Sequence, residues 1–109
     1  MRWYRELYMG PNAGENIKKI RKKASGGQWM TGVYYITLAS VPGNLLDIFH
    51  NGMLKSPLFL ESQCMDIIGV AQGRMEALRL AEQIVWELYQ ETGGFDIRSY
   101  FRIEDFVED

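Results

Sequence analysis

The chain holds one histidine, His50, and one cysteine, Cys64, with Asp47 three residues before the histidine. A thiol, an imidazole and a carboxylate are the parts of a nucleophilic set, in which the ring takes the thiol's proton and the acid orients the ring. The spacing does not favour that chemistry. Asp47 and His50 would be neighbours on a helix, as any polar surface pair at this spacing would be. Cys64 lies in Glu-Ser-Gln-Cys-Met, with no glycine elbow or helix N-terminus to stabilise a thiolate. The pair reads as a surface histidine and an edge cysteine, and no residue is assigned a catalytic role.

One histidine and one cysteine are too few for a transition-metal site, and the carboxylates lack the spacing of a calcium loop. No metal and no cofactor is expected. Glu87 with Glu91, and the acids Glu104, Asp105, Glu108 and Asp109, read as solvated charge. A single cysteine also rules out a disulfide within the chain.

Gly10-Pro-Asn-Ala-Gly14, followed by Lys18, has the outline of a phosphate loop. That loop needs four residues between its glycines and Lys-Ser/Thr directly after the second. Here there are three, and Glu15 comes next. The stretch reads instead as a turn into a helix, with Asn12 as its N-cap.

Two surfaces remain as candidates for binding. The run Lys18, Lys19, Arg21, Lys22 and Lys23 can neutralise phosphates, and Trp29, Tyr34 and Tyr35 downstream can stack on unpaired bases. Residues 1–32 carry seven basic side chains against two acidic, a net +5, while the whole chain is at −2 and has a pI near 5.4. The overall acidity and the lack of an RNA-recognition or helix-turn-helix signature weigh against nucleic acid. The second candidate is a pair of strand-to-helix turns, residues 40–44 and 71–74, with Ser40, Gly43, Asn44, Gly73 and Arg74 as ligand-binding residues. If the strands are parallel, both turns share the sheet edge where open α/β folds bind ligands, and helix amides there attract anions.

The elements that would position these residues are read from periodicity. Ala77, Leu78, Ala81, Ile84, Val85 and Leu88 form a helical stripe over residues 74–92, closed by Gly93 and Gly94. Residues 66–71 (Asp-Ile-Ile-Gly-Val-Ala) are a short apolar strand of the kind buried on both faces. Residues 33–39 form another strand, residues 40–44 a turn, and residues 45–50 the start of a helix, so that two strand–turn–helix units make a βαβα segment. Residues 14–24 read as a surface helix, 51–65 as a loop with one helical turn, and 95–106 as a tail that packs on the core and frays at 107–109. Residues 2–9 fit a helix or a short strand.

Residues 2–8 (Arg-Trp-Tyr-Arg-Glu-Leu-Tyr), residues 35–40 with 44–48, and Val85-x-x-x-Tyr89-x-x-Thr92-Gly-x-Phe-Asp-Ile-Arg-Ser-Tyr100 follow one another over nearly the whole chain. In that order they resemble a family of small uncharacterised proteins of gut Firmicutes of the clostridial type. The resemblance implies a bacterial cytoplasmic setting and carries over no functional residue. The Gly-Gly-Gln-Trp-Met stretch at 26–30 departs from it.

At 109 residues, 47% of them hydrophobic, the chain suits one domain with one core and no covalent staple. The first ten residues carry charge where a secretory signal needs an apolar run, and no apolar stretch is long enough to span a membrane. A cytoplasmic location follows as an expectation. The expected architecture is a single α/β domain with a small, mainly parallel sheet of three or four strands and packed helices. The alternative is an α+β domain whose terminal segments add antiparallel edge strands. With no residues spaced for chemistry, the expected role is a non-enzymatic binding or regulatory module. Exposed sheet edges imply a homo-oligomer, and an unidentified protein or a small anionic ligand is a further partner.

Overall fold

The computed structural model describes every residue except Trp29, Pro42 and Asp109. Three positions of the sequence reading therefore lie outside the described residues: Trp29 as a stacking aromatic, Pro42 in the 40–44 turn, and Asp109 in the tail.

The expected apolar run is β4 (Asp66–Gln72). Ile67, Ile68, Val70 and Ala71 are all fully buried, which requires cover on both faces. Among the described residues five strands form one sheet in the order β3–β2–β4–β1–β5, with β1 at Arg2–Met9, β2 at Val33–Leu38, β3 at Leu46–His50 and β5 at Phe106–Glu108. Only β1 and β4 pair in parallel; β2 with β4, β2 with β3, and β1 with β5 are antiparallel. The mainly parallel sheet of three or four strands is thus corrected to a mixed, mostly antiparallel sheet of five. The α+β alternative fits better: both edge strands are antiparallel to their neighbours. The N-terminal segment, however, is an inner strand.

The main error lies at residues 45–50, which form β3 rather than a helix. The 40–44 turn sends the chain back along β2, placing Ile48 opposite Ile36 and Phe49 opposite Tyr35. Such β-branched and aromatic cross-strand pairs stabilise a ladder. Gly43 takes φ 96° in the turn, a conformation open to glycine. Asp47 locks the hairpin by accepting the Ser40 amide (3.0 Å) and hydroxyl (2.8 Å). Among the described residues there is consequently no βαβα segment; the unit from β4 into the long helix does keep the strand–turn–helix order.

Residues 2–9 become a strand because alternation sorts their side chains. Trp3 and Leu7 join one apolar cluster, and Tyr4 and Tyr8 the other. Arg2 grips Asp66 of β4 through two bonds of 2.7 and 2.6 Å, tying the parallel pair at its start.

Helices α1 (Pro11–Glu15), α2 (Ile17–Ser25) and α3 (Pro57–Ser62) build on the Trp3 face of the sheet. Helices α4 (Arg74–Thr92) and α5 (Ile97–Tyr100) build on the other. The expected helix at 14–24 divides at Asn16. Asn12 is not an N-cap: Gly10 holds that position and Pro11 opens the helix. Helix α4 ends as expected, with Gly93 at φ 73° and its N–H on the Tyr89 carbonyl at 2.8 Å. Residues 51–65 are more ordered than expected, with a 3₁₀ turn at Asn51–Lys55 before α3. The tail does not fray at 107–108, since Val107 and Glu108 pair with Trp3 and Arg2. The Cα radius of gyration, 13.1 Å, is that of one domain of this length (~13 Å per 100 residues). No described helix is long and apolar enough to cross a membrane.

Gly69 sits where three elements converge. A Cβ there would lie 3.3 Å from both Ile36 Cδ1 and Leu80 Cδ2, tighter than normal packing. Valine at this position would lever α4 away from the sheet. Gly69→Val is expected to cost about 1–3 kcal/mol, read as a lower urea midpoint with an unchanged slope.

Candidate functional site

Helix α4 presents two apolar flanks. Ala77, Leu80, Ile84 and Leu88 are buried against the sheet. Leu78, Ala81 and Val85 turn instead toward β3, whose Leu46 and Ile48 face the same side without a helix above them. The 43–45 turn and Phe95 close one end. The result is an open groove of about 1120 Å³. Its upper wall is aromatic: Trp86 is 61% exposed, Phe95 53% and Tyr89 44%. Tyr89 and Phe95 stack at 5.2 Å with their planes 19° apart, and Trp86 follows 6.5 Å from Tyr89. Two charges, Arg79 and Glu82, and the amides of Asn44 and Gln83 are its main polar groups. Such a surface is suited to holding apolar matter.

The sequence reading missed Trp86, Tyr89 and Phe95. A signal was present: residues 78, 82, 85, 86 and 89 trace a second stripe beside the core stripe, and Trp86 and Tyr89 lie one turn apart on it.

The five turn residues do not come together. Because β2 runs antiparallel to β4, Val33 pairs with Gln72 and Thr37 with Ile67, so the two turns lie at opposite edges of the sheet, not on one. The Ser40 amide and hydroxyl are both taken by Asp47. Gly43 and Asn44 line the end of the apolar groove. Gly73 and Arg74 line a different cleft, of about 590 Å³, at the carboxyl ends of β1 and β4.

That second cleft already holds an anion, the carboxylate of Glu76. It accepts from the Asn12 amide (3.1 Å) and side chain (2.9 Å), the Ala13 amide (3.3 Å) and the Gln72 amide (2.8 Å). Burial works against its charged form, but these bonds outweigh burial and hold the carboxyl below its usual range. A Cβ on Gly10 would collide with this carboxylate, so the glycine is what lets Glu76 reach the start of α1.

Asp47, His50 and Cys64 form no catalytic set. On a strand, residues three apart point to opposite faces. Asp47 accepts from Ser40 and from the Gln63 side chain at 3.0 Å. Burial raises its pKa, and these bonds more than reverse the effect, leaving it lowered. His50 faces the other way, its Nδ1 accepting from the Gly52 amide at 3.0 Å and its Nε2 lying 3.1 Å from the Gly32 amide nitrogen; a neutral ring accepts at one nitrogen only. Among the described residues no three His, Cys, Asp or Glu side chains are grouped to hold a metal ion.

Lys18, Lys19, Arg21, Lys22 and Lys23 all belong to α2. Lys18, Lys19 and Lys22 are exposed, and Arg21 lies over the Trp3 ring at 4.9 Å. The aromatics expected to stack beside them are placed elsewhere. Tyr35 is fully buried and Tyr34 packs on the α4 side of the sheet.

Glu76 and Asp47, both held low, stabilise the fold fully above about pH 4.5 and lose that contribution as pH falls through their lowered values. Glu76→Gln turns an amide donor toward backbone donors, and is expected to cost about 1–3 kcal/mol near neutral pH. It should also flatten the acid limb of the stability–pH curve, measured by urea titration at a series of pH values. No protein-family model, curated protein or solved structure matches the chain.

Proposed function

We propose that this protein is a non-enzymatic binding module of a bacterial cytoplasm, holding an apolar partner surface in the groove between β3 and α4. The observation that carries the reading is the Trp86–Tyr89–Phe95 series, three aromatic rings left open to solvent along one wall. Contiguous apolar patches on monomers seldom exceed a few hundred Å² unless they bind something. The groove's size also favours a macromolecular surface: at about 1120 Å³ it is larger and more open than the ~300–1,000 Å³ clefts that take small molecules. The bacterial cytoplasmic setting rests on the sequence resemblance. The non-enzymatic reading is supported by the separation of Asp47, His50 and Cys64, and by the commitment of Asp47 and Glu76 to backbone and amide donors.

Anilinonaphthalene sulfonate, a dye that brightens on exposed apolar surface, tests the groove without a known partner. At low protein concentration the native protein is expected to bind it. Trp86→Ala should weaken binding roughly five- to tenfold, while Arg74→Ala in the other cleft should leave it unchanged. Equal binding by the Trp86 variant and the parent overturns the reading.

A further inference from the structure

The groove lies beside an open strand edge. β3 is an outer strand, and among the described residues no backbone group pairs with its outer side between Leu46 and Phe49. Proteins usually blunt such an edge with short length, charge, proline or a bulge. The opposite edge follows that practice: β5 is three residues long and ends in Glu108. β3 has five residues, pairs with β2 without a register shift, and has its one charge, Asp47, turned into the hairpin by Ser40 and Gln63.

Resting on the reading of the groove as a binding face, we infer that its occupant is a second copy of this chain, docked about a two-fold axis so that β3 pairs antiparallel with its counterpart. An axis normal to the sheet at Ile48 sets Asp47 opposite Phe49 and Leu46 opposite His50, so no like charges meet across the new ladder. Both α4 helices then lie on the same face of one continuous sheet and run antiparallel. Each groove, floored by β3, then opens onto the other, forming one trough between the two α4 helices. Arg79 and Glu82, one turn apart on the wall, then stand across from Glu82 and Arg79 of the second copy, a complementarity that one chain supplies to itself.

The area is at the small end for a dimer, in keeping with a weak association. Three half-exposed aromatics present on the order of 300 Å², given ~150–250 Å² for each ring buried in full. Leu45, Ile48 and Leu78, each about two-fifths exposed, together with the strand edge bring each copy toward the ~800 Å² per partner of a standard interface.

The test is sedimentation of the full chain from about 1 to 200 µM, with dye binding followed over the same range. A monomer–dimer equilibrium in the micromolar range is expected, with dye bound per protomer falling as the dimer forms. Hydrogen exchange at the outward-pointing amides of β3, every second one along the strand, should slow over the same range. Trp86→Lys, at an exposed position, should weaken the dimer at least tenfold. Arg79→Glu and Glu82→Arg should each weaken it about fivefold, and the double exchange should restore it. A protein that stays monomeric at about 200 µM while still binding dye at Trp86 overturns the second copy as occupant and leaves the groove reading intact. A dimer indifferent to Trp86→Lys, or one that the double exchange does not restore, overturns the proposed arrangement.

Discussion

β4 carries apolar side chains on both faces, so it is stable only between two helical layers, and this requirement places most of the other elements. Each buried Ile or Val of β4 contributes about 1.5–3 kcal/mol, but only if its own side of the sheet is covered. The parallel partner β1 and the antiparallel partner β2 supply its ladders. Helices α1 and α2 cover one face and α4 the other. Gly69 removes the side chain that would hold α4 and Ile36 apart. The arrangement tolerates one flaw: the Trp3 Nε1 is the one buried side-chain polar atom without a partner among the described residues. Leaving such a donor unmet costs about 1–3 kcal/mol. The Trp3 ring offsets this through its complete burial, its edge contact with Tyr35 and the Arg21 guanidinium above it.

The groove follows from the widths of the layers. Five strands about 4.8 Å apart make a sheet roughly 20 Å across, whereas one helix with its side chains is ~10–12 Å wide. On the α4 face, α4 takes the centre, and Tyr4, Phe101 and Phe106 fill the β1–β5 side with aromatic contacts at 5.0 and 5.5 Å. For β3 this leaves the flank of α4 alone among the described residues. On the opposite face β3 is covered, since Phe49 meets Phe59 of α3 at 5.0 Å. The apolar side chains of β3 are thus satisfied on one side and open on the other, and the flank of α4 that overlooks them is apolar for the same reason.

How much of this was legible in the chain depended on length and context. The periodicity of residues 74–92 and the double glycine after them fixed α4 to its observed ends, because nineteen residues average out local ambiguity. The run at 66–71 was readable as a doubly buried strand because it has no polar alternation. Residues 45–50 were not readable. Leu45, Leu46, Ile48 and Phe49 fit a helical spacing as well as a strand, and a run of this length cannot arbitrate. The deciding facts are tertiary: the ladder to β2, and Asp47 closing on Ser40. One wrong element then reversed the direction of a strand and moved two turns to opposite edges, which dissolved the ligand site built on them. Glu76 was hidden for a similar reason, since its partners Asn12 and Ala13 lie some sixty residues away.

The sheet also separates the charge that the sequence displays as a gradient along the chain. The cations of α2 lie on the Trp3 face, while Glu82, Glu87 and Glu91 belong to α4 on the other. An apolar partner at the groove and an anionic one at α2 would therefore meet opposite faces and would not compete. Continuing the sheet across β3 about a two-fold axis keeps each face to its own side, so both α2 helices would share one face of the longer sheet. Five cations on a small acidic domain are a weak lure for a polyanion. Ten on one face of such a pair would act at a raised effective concentration, because the second helix would be held within reach once the first is bound. In this fold, self-association through an apolar groove and the electrostatic character of the opposite face are one geometric question, decided by whether the edge of β3 is closed.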